Sequence, residues 1–243
     1  MDALRDELQT WPAEGEIFDL SSAALEVLAG EHPFLAAHRE AVAANWEQEV
    51  AANPALFNGR FLLFSTLGIH QGRLCGQAHD TPYAAMLYWR RSPALQTGYH
   101  VFCFPVIITA DNALVAVEMA AHTANPGQVY CPAGSLELED VVDGRVDIEA
   151  NMRREVREET GLDLGMAEAD GALRGLRLGR RVTLFRIFRM PLTADQVEKA
   201  IYRHMETDHE QEIARPVLLR RGDEGRYPFN PAMKPLLHWL FAD

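Results

Sequence analysis

The sequence has few cysteines, and none in a paired spacing. Cys75, Cys103 and Cys131 stand alone and far apart. That excludes a disulfide framework and a cysteine-based zinc site, and it points to a reducing compartment. Each cysteine reads as a small buried apolar residue. No apolar run is long enough to span a bilayer. The longest, "VFCFPVIITA" at 101–110, is short and contains Pro105. The first ten residues, "MDALRDELQT", are acidic and lack the apolar segment of a signal peptide. There is no block of Lys or Arg, and the net charge is −12, which argues against a grip on a nucleic-acid backbone. Internal repeats and low-complexity tracts are also absent. These absences predict a soluble, cytoplasmic protein whose partners are neither nucleic acid nor membrane. An acidic chain still binds a phosphorylated small molecule when a divalent cation mediates.

What is present is core-forming material. Hydrophobic residues make up 48% of 243 residues, enough for one large domain or one domain with a smaller companion. Ser21 and Ser22 read as caps of a short helix through "AALEVLAG". Pro33 suits the first turn of a longer helix, "PFLAAHREAVAANWEQEVAAN". "NPALFNG" (53–59) reads as a loop, "RFLLFSTLGIH" as a strand, and "YAAMLYWRRS" as a strand or short helix. Residues 1–96 therefore read as an α+β extension. From about 97 the texture changes. "HVFCFPVIITA", "ALVAVEMAA" and "RRVTLFRIFRM" read as strands, and "GQVYCPAG" as a short strand ending in a Pro/Gly loop. "TADQVEKAIYRHM" reads as a helix capped by Thr193. "EIARPVLLRR" reads as extended and "PAMKPLLHWLFA" as a closing helix. Strands and helices interleave without strict βαβ order, so the fold class is α/β, a mixed sheet flanked by helices.

The densest cluster of charge is "MRREVREETGL" (152–162), with three arginines and three glutamates before a glycine. Asp147 is placed to cap this helix and Gly161 to end it. Ile148, Met152 and Val156 recur every four residues and predict the buried stripe. Glu155, Glu158 and Glu159 fall on one flank of it, Arg153 and Arg157 on the other. Carboxylates at i, i+3 and i+4 repel one another, whereas a solvated face would mix signs. A cation between them would remove that cost. Mg²⁺ takes oxygen ligands and keeps positions free for water or phosphate oxygens. On the helix alone both readings stand: a solvated helix laced with salt bridges, or a metal site.

The upstream loop "PAGSLELED" adds Gly134 and further acids. Together, Gly134 and Arg154-Glu155-Val156-Arg157-Glu158-Glu159-Thr160-Gly161-Leu162 resemble the signature of the Nudix hydrolases. The second half matches at every defined position. The first half departs from it: Pro-Ala-Gly replaces Pro-Gly-Gly, and six residues are inserted before the helix, most simply "VVDGRV" (141–146). The signature's first glutamate then falls on Asp140, or is supplied by Glu137 or Glu139.

The resemblance implies a Nudix-type α/β/α sandwich with a mixed sheet over 97–243, with 1–96 an N-terminal extension packed on it. It implies Mg²⁺-dependent, or Mn²⁺-dependent, hydrolysis of a nucleoside diphosphate linked to another moiety, such as a nucleotide sugar or ADP-ribose. By the match, Glu155, Glu158 and Glu159 are metal ligands together with Gly134, and Arg154 orients a glutamate. The general base varies in this family. Glu206, Glu210 and Glu212 in "ETDHEQEIARP" are the later candidates, with Glu212 favoured because it opens an extended segment; each also reads as a solvated acid. His204 and His209 read as surface residues, and Tyr130 and Arg90 as packing residues within reach of a substrate. A homodimer is compatible with the sequence. The competing reading is a catalytically weak nucleotide-binding or regulatory module on the same fold.

Overall fold

The run Phe61-Leu62-Leu63-Phe64 is buried along its whole length, each residue at most 1% exposed. A strand alternates its side chains, so four consecutive buried residues need apolar partners on both faces. The computed structural model, which describes residues 11–95 and 97–242, supplies them. Leu62 and Phe64 face the main core. Phe61 and Leu63 face a smaller core with Phe34, Val42, Ala85 and Trp89. Fully burying side chains of this size contributes about 1.5–3 kcal/mol each.

The strands are β1 (Ile17–Leu20), β2 (Ser22–Leu28), β3 (Arg60–His70), β4 (Arg73–Pro82), β5 (Tyr99–Ile108), β6 (Leu114–Met119), β7 (Val129–Tyr130), β8 (Val141–Val142), β9 (Arg145–Val146), β10 (Glu168–Ala169), β11 (Leu173–Leu178), β12 (Arg181–Arg189) and β13 (Ile213–Leu219). The helices are α1 (Pro33–Ala52), α2 (Tyr83–Arg91), α3 (Ile148–Thr160), α4 (Ala194–Met205) and α5 (Met233–Leu240). The mixed α/β class expected from the sequence is what forms, with parallel and antiparallel pairs in one hydrogen-bonded network. Among the described residues no helix is long and apolar enough to cross a membrane. The acidic segment 1–10 lies outside the described residues.

Strand β5 organises the centre. One edge pairs in parallel with β12 from His100–Arg181 to Ile108–Arg189. The other edge divides its partners. Its start pairs with β3, its end with β6, and between them Phe102 bridges to Ser135. The Pro132–Ser135 loop thus enters where β3 and β6 part. The N-terminal strands share the same network: β1 pairs with β11 and β3 with β5.

One expectation is corrected and one alternative is decided. The helix expected at "AALEVLAG" is strand β2, parallel to β4. Ala23, Leu25 and Val27 pack on the core, a period of two that outweighs the helix propensity of alanine and leucine. "YAAMLYWRRS" resolves to helix α2. Strands β4 and β11 were not expected; both are rich in polar residues and glycine.

The six-residue insertion is also ordered. Val141–Val142 and Arg145–Val146 form a hairpin, β8–β9. Asp143 and Gly144 turn it with φ of 51° and 75°, the conformation of a two-residue type I′ loop, for which Asp-Gly is favoured. The hairpin reaches β2: Glu26 opposes Arg145, and the Val27 N–H donates to the Gly144 carbonyl at 2.9 Å.

Candidate active site

Helix α3 carries the site, and its ends are set locally. The Asp147 side chain accepts from the Ala150 N–H at 3.0 Å, and Gly161 ends the helix at φ 68°. Met152 and Val156 are buried as the stripe required. The His204 ring lies against Gly161, where a Cβ would come within 2.7 Å of it, and its Nε2 is 2.8 Å from the Glu158 carbonyl oxygen. This histidine fastens α4 to the end of α3, a structural role.

The carboxylates differ in environment. Glu155 and Glu159 are buried, at 7% and 5% exposure, while the Glu158 side chain is half exposed. Gly134 passes directly over Glu155: a Cβ there would lie 2.3 Å from both carboxylate oxygens. Only glycine lets the loop close this tightly on the acid. The Ala133 N–H donates to Glu159 Oε2 at 3.1 Å. Burial raises the Glu155 carboxyl to about 8; Arg154 opposes the shift, and Glu158 and Asp140 add to it. Burial also raises Glu159 well above the carboxylate range, with Glu155 and Glu212 contributing.

Arg154 ties the acids together. Its guanidinium meets Asp140 through Nε–Oδ1 and Nη2–Oδ2, both at 3.1 Å. It also reaches Glu155 Oε1 and Glu158 Oε2, each at 2.8 Å. Asp140, only 1% exposed, accepts further bonds from the Asn151 side chain at 2.9 Å and the Glu137 N–H at 2.8 Å. Of the three candidates for the first acid of the signature, Asp140 is the one that engages Arg154. Arg153 is turned away, paired with Glu149 at 2.6 Å.

Glu212 approaches from the start of β13. Its backbone carbonyl accepts from the Ala120 N–H at 2.8 Å, and its charge raises Glu159, Tyr130 and Tyr83. Its own carboxyl is raised by desolvation, Glu210 and Asp208, although the residue keeps exposed surface. Glu206, Glu210 and His209 are exposed as Glu212 is, so what sets Glu212 apart is its influence on Glu159 and not burial. Tyr130 is buried and stacks on Phe104 at 6.2 Å. Arg90 donates to the Asn125 side chain at 3.2 Å, and Asn125 also bonds Tyr130.

Among the described residues no three acid, histidine or cysteine side chains converge as a finished metal cluster. The donors nevertheless fit a hard cation. Glu155, Glu158 and Glu159 offer only oxygens, and two of them are buried with their negative charge opposed by burial and by one another. A cation among them would relieve that opposition.

Sequence reasoning missed Asn151, Asn125 and Tyr83. Asn151 had a signal, since it shares the i, i+4, i+8 row with Glu155 and Glu159 and so must point the same way. Asn125 and Tyr83 had none, because only the fold brings them near the acids.

No family model and no curated protein matches the chain. Solved structures are similar to it in fold. A MutT protein from Methanosarcina mazei Go1 is 14% identical, with a TM-score of 0.41, over 58% of this chain and 92% of that one. DR0079 from Deinococcus radiodurans is 12% identical, with a TM-score of 0.47, over 75% and 99%. RenU, a Nudix hydrolase from M. smegmatis, is 13% identical, with a TM-score of 0.38, over 58% and 83%. Likeness this distant carries nothing about activity.

Proposed function

We propose that the chain is a Nudix-type hydrolase that cleaves a nucleoside diphosphate linked to another moiety, of the nucleotide-sugar or ADP-ribose kind. The observation that carries this reading is the closure of the Gly134 loop onto Glu155 while Asp140 and Arg154 lock the acidic face of α3. These residues belong to the signature, and their contacts are those a positioned carboxylate set requires.

Glu155, Glu158 and Glu159, with the Gly134 backbone beside them, would hold Mg²⁺ or Mn²⁺. When bound, such a cation neutralises diphosphate oxygens and acidifies water. The remaining work belongs to the chain. Arg154 holds Glu155 and Glu158 in place. The Ala133 N–H orients Glu159. Glu212 serves as general base: its raised carboxyl takes the proton as the water oxygen bonds to phosphorus and the bridging P–O bond breaks. Positioning and charge neutralisation supply most of the rate, as in phosphoryl transfer generally.

The test is product release from a panel of nucleotide sugars, ADP-ribose, coenzyme A and dinucleoside polyphosphates with Mg²⁺ or Mn²⁺. Chelator should abolish turnover. Glu158→Gln and Glu159→Gln should each lower it by about ten- to a hundredfold while remaining folded. Wild-type rates in both variants, or full activity in chelator, would remove the reading.

A further inference from the structure

The tip of the β11–β12 hairpin concentrates positive charge in an acidic protein. Leu178 opposes Arg181, and Gly179 and Arg180 make the two-residue turn, with Gly179 at φ 60°. A glycine first in such a turn is the mark of type II′. The turn sets Arg177, Arg180 and Arg181 around one cavity of about 390 Å³, with Arg90 of α2 as a fourth guanidinium. That volume lies within the range of about 300–1,000 Å³ usual for small-molecule sites.

The carboxylate at the tip, Glu14, is engaged by the Gly179 N–H at 2.6 Å and not by an arginine. Among the described residues none of the four arginines pairs with a carboxylate, in a chain whose net charge is −12. What they bond is neutral. Arg90 donates to the Asn125 side chain, Arg177 to the Gly179 carbonyl at 3.1 Å, and Arg180 to the Gly98 carbonyl at 3.1 Å. Arg177 Nε is buried without a hydrogen-bond partner. Arg181 is held below the usual guanidinium value by burial and by Arg90. Like charges held together at a partly buried site cost free energy that an anion would return.

The cavity also has aromatic walls, Trp11, Trp89 and Tyr99. The Arg180 guanidinium lies over the Trp89 ring at 4.8 Å and that of Arg177 over Trp11 at 5.7 Å. A guanidinium stacked by its face keeps its N–H edge free for bidentate contact with phosphate. Indole faces stack readily on a nucleobase.

None of the α3 acids lines this cavity, although its Arg90 reaches towards them through Asn125 and Tyr130. His100 contacts both neighbourhoods, edge-on to Trp89 at 6.5 Å and with its Nε2 3.2 Å from the Ser135 hydroxyl beside Gly134. Burial, Arg181 and Arg90 hold its imidazole neutral, at about 3.

We propose that the Arg90/Arg177/Arg180/Arg181 cavity is a second binding site, which takes a phosphate-bearing planar-ring ligand of the mononucleotide type, independently of any cation at the α3 carboxylates. The proposal does not rest on the hydrolase reading. The arginines take the phosphate and Trp11, the partly exposed indole, flanks the ring; Trp89, 4% exposed, only backs Arg180.

The test is equilibrium binding to the full chain in chelator, by calorimetry and tryptophan fluorescence, with AMP, UMP, adenosine and inorganic phosphate as separate probes. At least one mononucleotide should bind saturably, ten times or more tighter than phosphate or adenosine, with phosphate competing. Arg177→Gln and Arg181→Gln should each weaken it tenfold or more, with Arg177→Lys and Arg181→Lys covering any glutamine variant that fails to fold. Trp11→Ala should weaken the mononucleotide but not phosphate. Glu158→Gln should leave binding unchanged. Absence of saturable mononucleotide binding, unchanged affinity in the folded arginine variants, or loss of binding in Glu158→Gln would each overturn the proposal.

Discussion

Asp140 and Arg154 form a two-pronged ion pair, both contacts at 3.1 Å, across the loop that the β8–β9 hairpin lengthens. The hairpin leaves the pair undisturbed because it leaves and returns at one point: the Asp147 N–H donates to the Asp140 carbonyl at 2.7 Å. Asp140 is buried and Arg154 mostly so, which makes removal of one partner costly. Asp140→Ala should lower stability by about 3 kcal/mol in urea denaturation. It should also reduce turnover, because Arg154 then loses the anchor that fixes Glu155 and Glu158. A loss below about 1 kcal/mol would show that the pair does not hold the loop to the helix.

The same geometry makes the hairpin removable. Deleting Val141 to Val146 joins two residues already in hydrogen-bond contact, and loops of this size contribute little entropy. The deletion should keep the fold, lower the melting temperature by only a few degrees through the lost contacts with β2, and change kcat/KM more than stability. Circular dichroism and thermal melting check this; global unfolding would contradict it.

The contributions of two histidines to stability should be lost as the solution is acidified from about pH 6.5 towards pH 4, against the raised Glu155 and Glu159 carboxyls, which favour the folded state as they protonate. Two histidines are depressed in the folded protein: His32 to about 4, by burial and by His79, and His100 to about 3, by burial, Arg181 and Arg90. A depressed base takes up its proton in the unfolded chain first. Its contribution is therefore complete above the unfolded value of 6.5 and lost as pH drops towards the folded one. His32 Nδ1 also accepts the Phe34 N–H at 3.0 Å, capping α1, a bond that protonation removes. His32→Asn keeps a capping acceptor without the titration. Relative to wild type, His32→Asn and His100→Gln should each lose less, or gain more, stability on going from about pH 6.5 to 4. Slopes equal to wild type would count against the assignment.

Strand β3 belongs to two cores at once, so the N-terminal and C-terminal parts of the chain should unfold together. Leu62→Ala and Leu63→Ala face opposite sides. Each should cost about 2–5 kcal/mol, and each should move one shared denaturation transition. Residues 97–243 expressed alone should lose that transition, because β5 loses its β3 partner. Two separate transitions in the full chain, or an unchanged melting temperature in the fragment, would contradict this.

The sequence by itself determined the chemistry of α3. Its Asp147 cap, Gly161 stop, buried stripe and one-sided carboxylates are set by spacing within a few turns, where cap, stop and stripe all agree. The long apolar strands β3, β5 and β12 were legible for the same local reason, as was the capping of α4 by Thr193. Strands β2, β4 and β11 were not, because short or polar segments become strands only when a neighbour offers a hydrogen-bonding edge. Tertiary structure alone decided which acid meets Arg154, that Glu212 acts on Glu159, and that arginines at 90 and 177–181 share a cavity with Trp11. The last two join residues far apart in the chain, whose approach depends on how the sheet is ordered, and no local pattern encodes that order; the first depends on how the loop before α3 closes.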